Sequence, residues 1–185
     1  FPHFPTTWQA VLWRNWGVVP IERIAAALSC QPQELLQAGE ALGLEKDESH
    51  CHLWLKRGYQ TIIRQNWHLL SYEQLLTILD WTPDKLEYIL REDDFLWTKL
   101  GNLKPELTPP KYAGLTAAQA AQTALLKQWH DECKAKLPPL LEHPFAFLTK
   151  PLAAETPATQ SNGLRLIYSY SALYGDPLMD SDADP

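Results

Sequence analysis

Three places in the chain gather side chains that could do chemistry. His50-Cys51-His52 offers three metal-ligand types in a row, Trp129-His130-Asp131-Glu132-Cys133 sets an imidazole, carboxylates and a thiol side by side, and Asp180-Ser-Asp-Ala-Asp184 imitates the first half of a calcium loop. Each fails on spacing. Adjacent residues seldom point at one ion, and zinc sites pair ligands as Cys-x2–4-Cys with a second pair elsewhere, which is not evident here. On a helix, consecutive side chains diverge by roughly 100°, so His130, Asp131 and Cys133 do not make a nucleophile–base pair by themselves. A calcium loop needs glycine at its sixth position, where Pro185 stands. The first stretch therefore reads as a linker or edge ribbon and the second as solvated helix surface. None of the three supplies a metal site, a cofactor site or a catalytic residue.

What the sequence does display is internal repetition, the signal to look for first. Shifted by 51 residues, Trp8–Leu44 lies over Tyr59–Phe95, with Gln9/Gln60, Asn15/Asn66, Trp16/Trp67, Glu22/Glu73, Leu28/Leu79, Pro32/Pro83 and Leu35/Leu86 identical. The paired Asn15-Trp16 and Asn66-Trp67 are the anchors of the two copies. Aromatic platforms suit sugars, but a Trp inside a helical repeat is more often core, its indole N–H bonded to a nearby carbonyl.

Each copy reads as three helices. Trp8–Trp16 and Tyr59–Trp67 lead. Ile21, Ile24, Ala25 and Leu28, like Tyr72, Leu75, Leu76 and Leu79, then follow the i, i+3, i+4, i+7 rule. Pro20 suits a first helical turn, and Ser71 and Thr82 suit N-caps. Pro32 and Pro83 open the third helices, and Gly43 ends the first of these. Two stretches, His52–Lys56 and Phe95–Gly101, alternate briefly and are expected as short strands, like the wing of a winged helix.

Pro105, Pro109 and Pro110 make Asn102–Ala113 a loop. Thr116-Ala-Ala-Gln119 is a capping box opening a helix to about Lys136. A short apolar piece runs from Leu140 to Leu148. The composition of 149–163 is that of a linker, and Leu164–Ala172 is the first convincing strand. The fold class is thus mainly α: two pseudo-repeated helix-turn-helix-like units (1–58 and 59–104), a further helical segment (105–148), the linker, and a strand opening a following, truncated domain (164–185).

Net charge is −6 and the pI is about 5.5. That balance disfavours a nucleic-acid or anionic-membrane partner. No run of about 18 apolar residues exists to span a bilayer. Three widely spaced cysteines, Cys30, Cys51 and Cys133, suit reduced thiols and a cytoplasmic location. Starting at Phe1, the chain is expected to be a fragment of a longer one.

Ile21–Leu44 resembles the helix-turn-helix of DNA-binding regulators, which implies a reading helix in the major groove. Here the second helices carry Glu34 and Glu40, then Asp84, Glu87, Glu92, Asp93 and Asp94, outnumbering Lys85 and Arg91. Phosphates would repel that surface. At the other end, Ile167–Asp180 resembles the first strand and loop of bacterial proteins in which a helical region precedes a glycoside-hydrolase-like (β/α)8 barrel. The resemblance implies that Tyr174 would stack on a sugar and Asp176 hydrogen-bond to it, at the carboxyl end of a barrel strand. The paired catalytic carboxylates of such a barrel would lie downstream. An ordinary Tyr-Gly-Asp-Pro turn explains the same residues.

The function expected is a non-catalytic accessory or docking domain, partnered by the downstream domain of its own chain and touching carbohydrate only through it. Rival readings are a tandem helix-turn-helix DNA-binding region and a protein-interaction module with no enzyme attached.

Overall fold

The computed structural model describes residues 3–137. The expected strand at 164–172, the linker at 149–163, the apolar piece at 140–148, and Tyr174 and Asp176 lie outside the described residues. The chain divides into two compact units, Phe1–Lys136 and Leu137–Pro185, and every described helix belongs to the first.

The described residues form nine helices and no strand: α1 (Thr7–Asn15), α2 (Ile21–Leu28), α3 (Pro32–Ala41), α4 (Cys51–Arg57), α5 (Tyr59–Asn66), α6 (Tyr72–Leu79), α7 (Pro83–Glu92), α8 (Leu96–Lys99) and α9 (Ala117–Lys136). Local chemistry explains where they begin. The hydroxyls of Thr6, Ser71 and Thr82 accept from the backbone N–H groups of Gln9, Gln74 and Lys85, supplying partners for donors the helix leaves open. At α9, Thr116 and Gln119 bond reciprocally, at 2.9 and 3.3 Å. The α2 N-terminus is served from a distance, where Ile21 N–H donates to the Glu48 carboxylate at 2.8 Å.

The ends are as specific. Gly43 takes φ +83°, its N–H reaches Glu40 C=O at 3.0 Å, and Leu44 N–H reaches Gly39 C=O at 2.9 Å, the double closure of a Schellman motif. Ser29 and Asp80 end α2 and α6 in the same left-handed region, at φ 59° and 57°. Short polar side chains tolerate that region better than most.

The two stretches expected as wing strands are helical, α4 and α8. Over so few residues alternation and helical spacing both fit. Packing decides between them: Cys51 and Leu55, four apart, turn to the protein, as do Leu96 and Leu100, while Leu53 and Trp54 face out. Side chains four apart share a helical face.

One core is shared by α1, α2 and α3 with α5, α6 and α7. α2 lies along α6, and α1 contacts α5 and α3. Leu12, Ile24, Leu28, Ile62, Ile63, Leu75 and Ile78 are fully buried there. At its centre Asn15 and Asn66 exchange amide hydrogen bonds, each 2.8 Å. Beside them Arg14 donates to Gln65 C=O at 2.5 Å and Gln65 donates to Arg14 C=O at 2.9 Å. Arg23 of α2 reaches Leu79 C=O (3.2 Å) and Asp80 (2.9 Å) at the end of α6, where a cation is favoured.

An extended strap, residues 102–116, ties α2 and α6 together from outside. Gln74 donates to both Ala27 C=O and Pro110 C=O at 2.8 Å, and Tyr112 N–H donates to Leu28 C=O at 2.9 Å. Tyr112 then packs on Trp8, ring centres 4.9 Å apart. Beyond the strap, α9 returns over α1 and α3 through Gln9 to Thr123 (2.8 Å) and Trp13 edge-on to His130 (5.3 Å).

Gly39 of α3 lies under the Trp16 ring, with no room for a Cβ. An exposed helical glycine usually gains stability on change to alanine. Here the ring is pinned by its own hydrogen bond to Glu45 C=O, so Gly39→Ala should destabilise by about 1–3 kcal/mol, read by urea unfolding; a stabilised variant would show the ring free to move.

Candidate functional site

The four sequence anchors are spent on architecture. Asn15 Nδ2 bonds to Val11 C=O and to Asn66 Oδ1, both at 2.8 Å, and its Oδ1 accepts from Asn66 Nδ2 (2.8 Å) and Gln65 Nε2 (3.3 Å). Asn66 Nδ2 also holds Ile62 C=O at 2.9 Å. A primary amide has two donor hydrogens and a carbonyl oxygen, so the Asn15 amide has no hydrogen left for a ligand, and neither has that of Asn66. The indoles are committed too. Half-buried Trp16 donates to Glu45 C=O at 2.7 Å, and fully buried Trp67 donates to Leu103 C=O at 2.8 Å. Trp67 meets Tyr72 and Trp97 edge-on, its ring centre 5.9 Å from each.

Lys104, which carried no signal in the sequence, completes that second aromatic group. Its ammonium donates to Trp67 C=O and Leu70 C=O at 2.5 Å and lies 5.1 Å from the Trp67 ring centre. Burial lowers its pKa. Gln9 and Gln74 also went unread as tertiary contacts. The identity of Gln9 and Gln60 marked the first; the second sits in the first turn of α6, where its side chain also accepts from Ser71 N–H at 3.1 Å.

Of the clusters that could do chemistry, Asp180–Asp184 lies outside the described residues, and the other two do not assemble. Cys51 is buried at the start of α4 while His50 and His52 are exposed. Among the described residues no group of three His, Cys, Asp or Glu side chains could hold a metal ion. Burial, then Glu34, pushes the Cys30 thiol up to about 11, and burial also raises Cys51; both are poor nucleophiles in that state. His130 is half-buried against Trp13 rather than solvated, its Nδ1 3.6 Å from Asp131, while Cys133 is exposed.

What remains on offer is surface. α9 buries Thr123 alone and leaves Leu125 and Trp129 41% and 51% exposed. An open recess of about 390 Å³ on α4 is lined by His50, Leu53, Trp54, Arg57 and Gly58. The outward positions of α3 are Gln33, Gln37, Glu40 and Ala41, and α7 shows Asp84, Lys85, Glu87, Tyr88, Arg91 and Glu92. No helix among the described residues is long and apolar enough to cross a membrane.

Comparison with known proteins finds no matching family model, no matching curated protein and no matching solved structure.

The Tyr59 phenol donates to the Asp93 carboxylate, and burial followed by that bond pushes its pKa up from 10.0 to about 12. A folded pKa above the unfolded one gives stability that is complete below pH 10 and lost as pH climbs toward 12. Tyr59→Phe should cost about 1 kcal/mol at neutral pH and flatten part of that alkaline loss. Denaturant unfolding from pH 7 to 12 measures both, and an unaltered alkaline slope would place the titration elsewhere.

Proposed function

We propose that residues 3–137 form a non-catalytic accessory domain, built from two copies of one helix-turn-helix-like unit packed against each other, that docks on a further module of a larger, carbohydrate-active protein. The carrying observation is the contrast between interior and rim. Inside, the anchor amides and indoles are used up by each other and by backbone carbonyls. Outside, α9 keeps an apolar pair, Leu125 and Trp129, one turn apart and open to solvent. Exposed aromatics of that kind are favoured anchors at protein interfaces. The occupant we assign to the α9 face is another module of that larger protein, and Tyr174 and Asp176 are sugar contacts in this reading.

The DNA-reading alternative draws less support. The exposed positions of α3 carry no cation, those of α7 carry more carboxylates than cations, and the C-terminal end of α3 lies beneath α9. Most non-specific affinity for DNA comes from cations on phosphates.

Trp129→Glu is the direct test, made in the protein continued through its downstream module. The substitution is on the surface and should alter the domain's own stability by no more than about 0.5 kcal/mol. Calorimetry should show the coupled unfolding of domain and module separating into two independent transitions. Transitions unchanged by the substitution would contradict docking through α9.

A further inference from the structure

At the turn between α7 and α8 the chain does something costly. Asp94 and Phe95 both take left-handed backbone angles, φ 48° and 55°, and Phe95 leaves 78% of its surface exposed. A non-glycine residue is strained there, a bulky one most of all, and exposing a phenyl ring adds a hydrophobic penalty. The end of α3 shows that the fold does not require it: Gly43 supplies the left-handed residue and the next side chain, Leu44, packs against the core. Backbone strain of this kind clusters at functional sites, and exposed aromatics are favoured anchors at protein interfaces.

The surroundings state the partner's charge. Residues 84–99 hold five carboxylates (Asp84, Glu87, Glu92, Asp93, Asp94) against three cations (Lys85, Arg91, Lys99), a net −2 by difference. The cations are occupied locally, Arg91 with Glu87 at 3.3 Å, Lys99 with Asp94 at 2.5 Å and Lys85 over the Trp81 ring at 4.3 Å, and Asp93 accepts from Tyr59, so Asp84 and Glu92 are the carboxylates outside these pairs. Tyr88 adds a second open ring, 63% exposed. We infer that the α7–α8 turn is an interaction surface for a basic, amphipathic protein segment: Phe95 enters its apolar side, and lysines or arginines around that side meet the exposed carboxylates of Asp84 and Glu92. A second copy is a poor occupant because it brings the same carboxylates, and polyanions such as nucleic acid are repelled. This surface is separate from α9, so it stands or falls independently of the docking reading above.

The test uses the full chain and a fluorescein-labelled amphipathic peptide of leucine and lysine, followed by anisotropy, with a leucine–glutamate peptide as the opposite-charge control. The lysine peptide should bind at low salt and weaken as salt rises, and the glutamate peptide should not bind. Phe95→Gly should weaken the lysine peptide at least tenfold, as loss of an aromatic anchor does. The same variant should raise Tm by roughly 2–4 °C, because glycine accepts the left-handed angle. Trp129→Glu should leave peptide binding unaltered. Absence of binding by the wild-type chain, binding that survives Phe95→Gly within about twofold, or a fall in Tm on that substitution would each overturn the inference.

Discussion

Two side-chain amides, each with no exposed surface, face one another where α1 meets α5. Burying an amide is unfavourable unless every hydrogen bond is made, and this pair makes them reciprocally, with Val11 and Ile62 carbonyls taking the remaining hydrogens. The consequence is directional. Leucines at the same places could slide or rotate past each other; the amides bond in one register only, as a buried polar residue does in a coiled coil. Arg14 and Gln65, one position earlier in each helix, repeat the exchange through backbone carbonyls. Once α1 and α5 are registered, α2 and α6 must meet along their apolar faces, and the core closes.

The outer shell is a consequence of that closure. Bringing α2 beside α6 places Ala27 C=O within reach of Gln74, and the same amide secures the strap at Pro110. Without the strap's carbonyl at Leu103 the buried Trp67 N–H would be orphaned, and without Lys104 the carbonyls after α5 would lose a donor. An unsatisfied buried polar group costs about 1–3 kcal/mol, so core and strap depend on one another.

Much of this was legible in the sequence, for identifiable reasons. Helix starts and stops were, because Ser71, Thr82, Thr116, Pro32, Pro83 and Gly43 act locally. α4 and α8 were not, since stretches so brief carry no usable period and packing alone settles their conformation. Ser29 and Asp80 as left-handed ends also left no clear mark, because neither is glycine. Spacing argued against a metal or a nucleophile at the His–Cys–His run and the His130 cluster, and the burial of Cys51 between exposed His50 and His52 was not legible there. The half-burial of His130 depends on Trp13, which is remote in sequence, and the strained Phe95 could be seen only in three dimensions. The anchors were visible as identities, whereas the bond joining Asn15 to Asn66 was not, since repetition shows that positions correspond without showing that they touch.

The function proposed follows from how little of this chemistry faces outward. A domain that consumes its polar anchors internally and leaves aromatic side chains on its rim is equipped to hold something. The central physical claim is the reciprocity of the amide pair, and a double-mutant cycle measures it. Asn15→Leu and Asn66→Leu alone each strand a buried amide and should each cost about 2–3 kcal/mol in denaturant unfolding, while the double variant should cost at least about 1 kcal/mol less than their sum. Strictly additive losses would mean that the two amides stabilise their own helices separately and that the register of the core is set by something else.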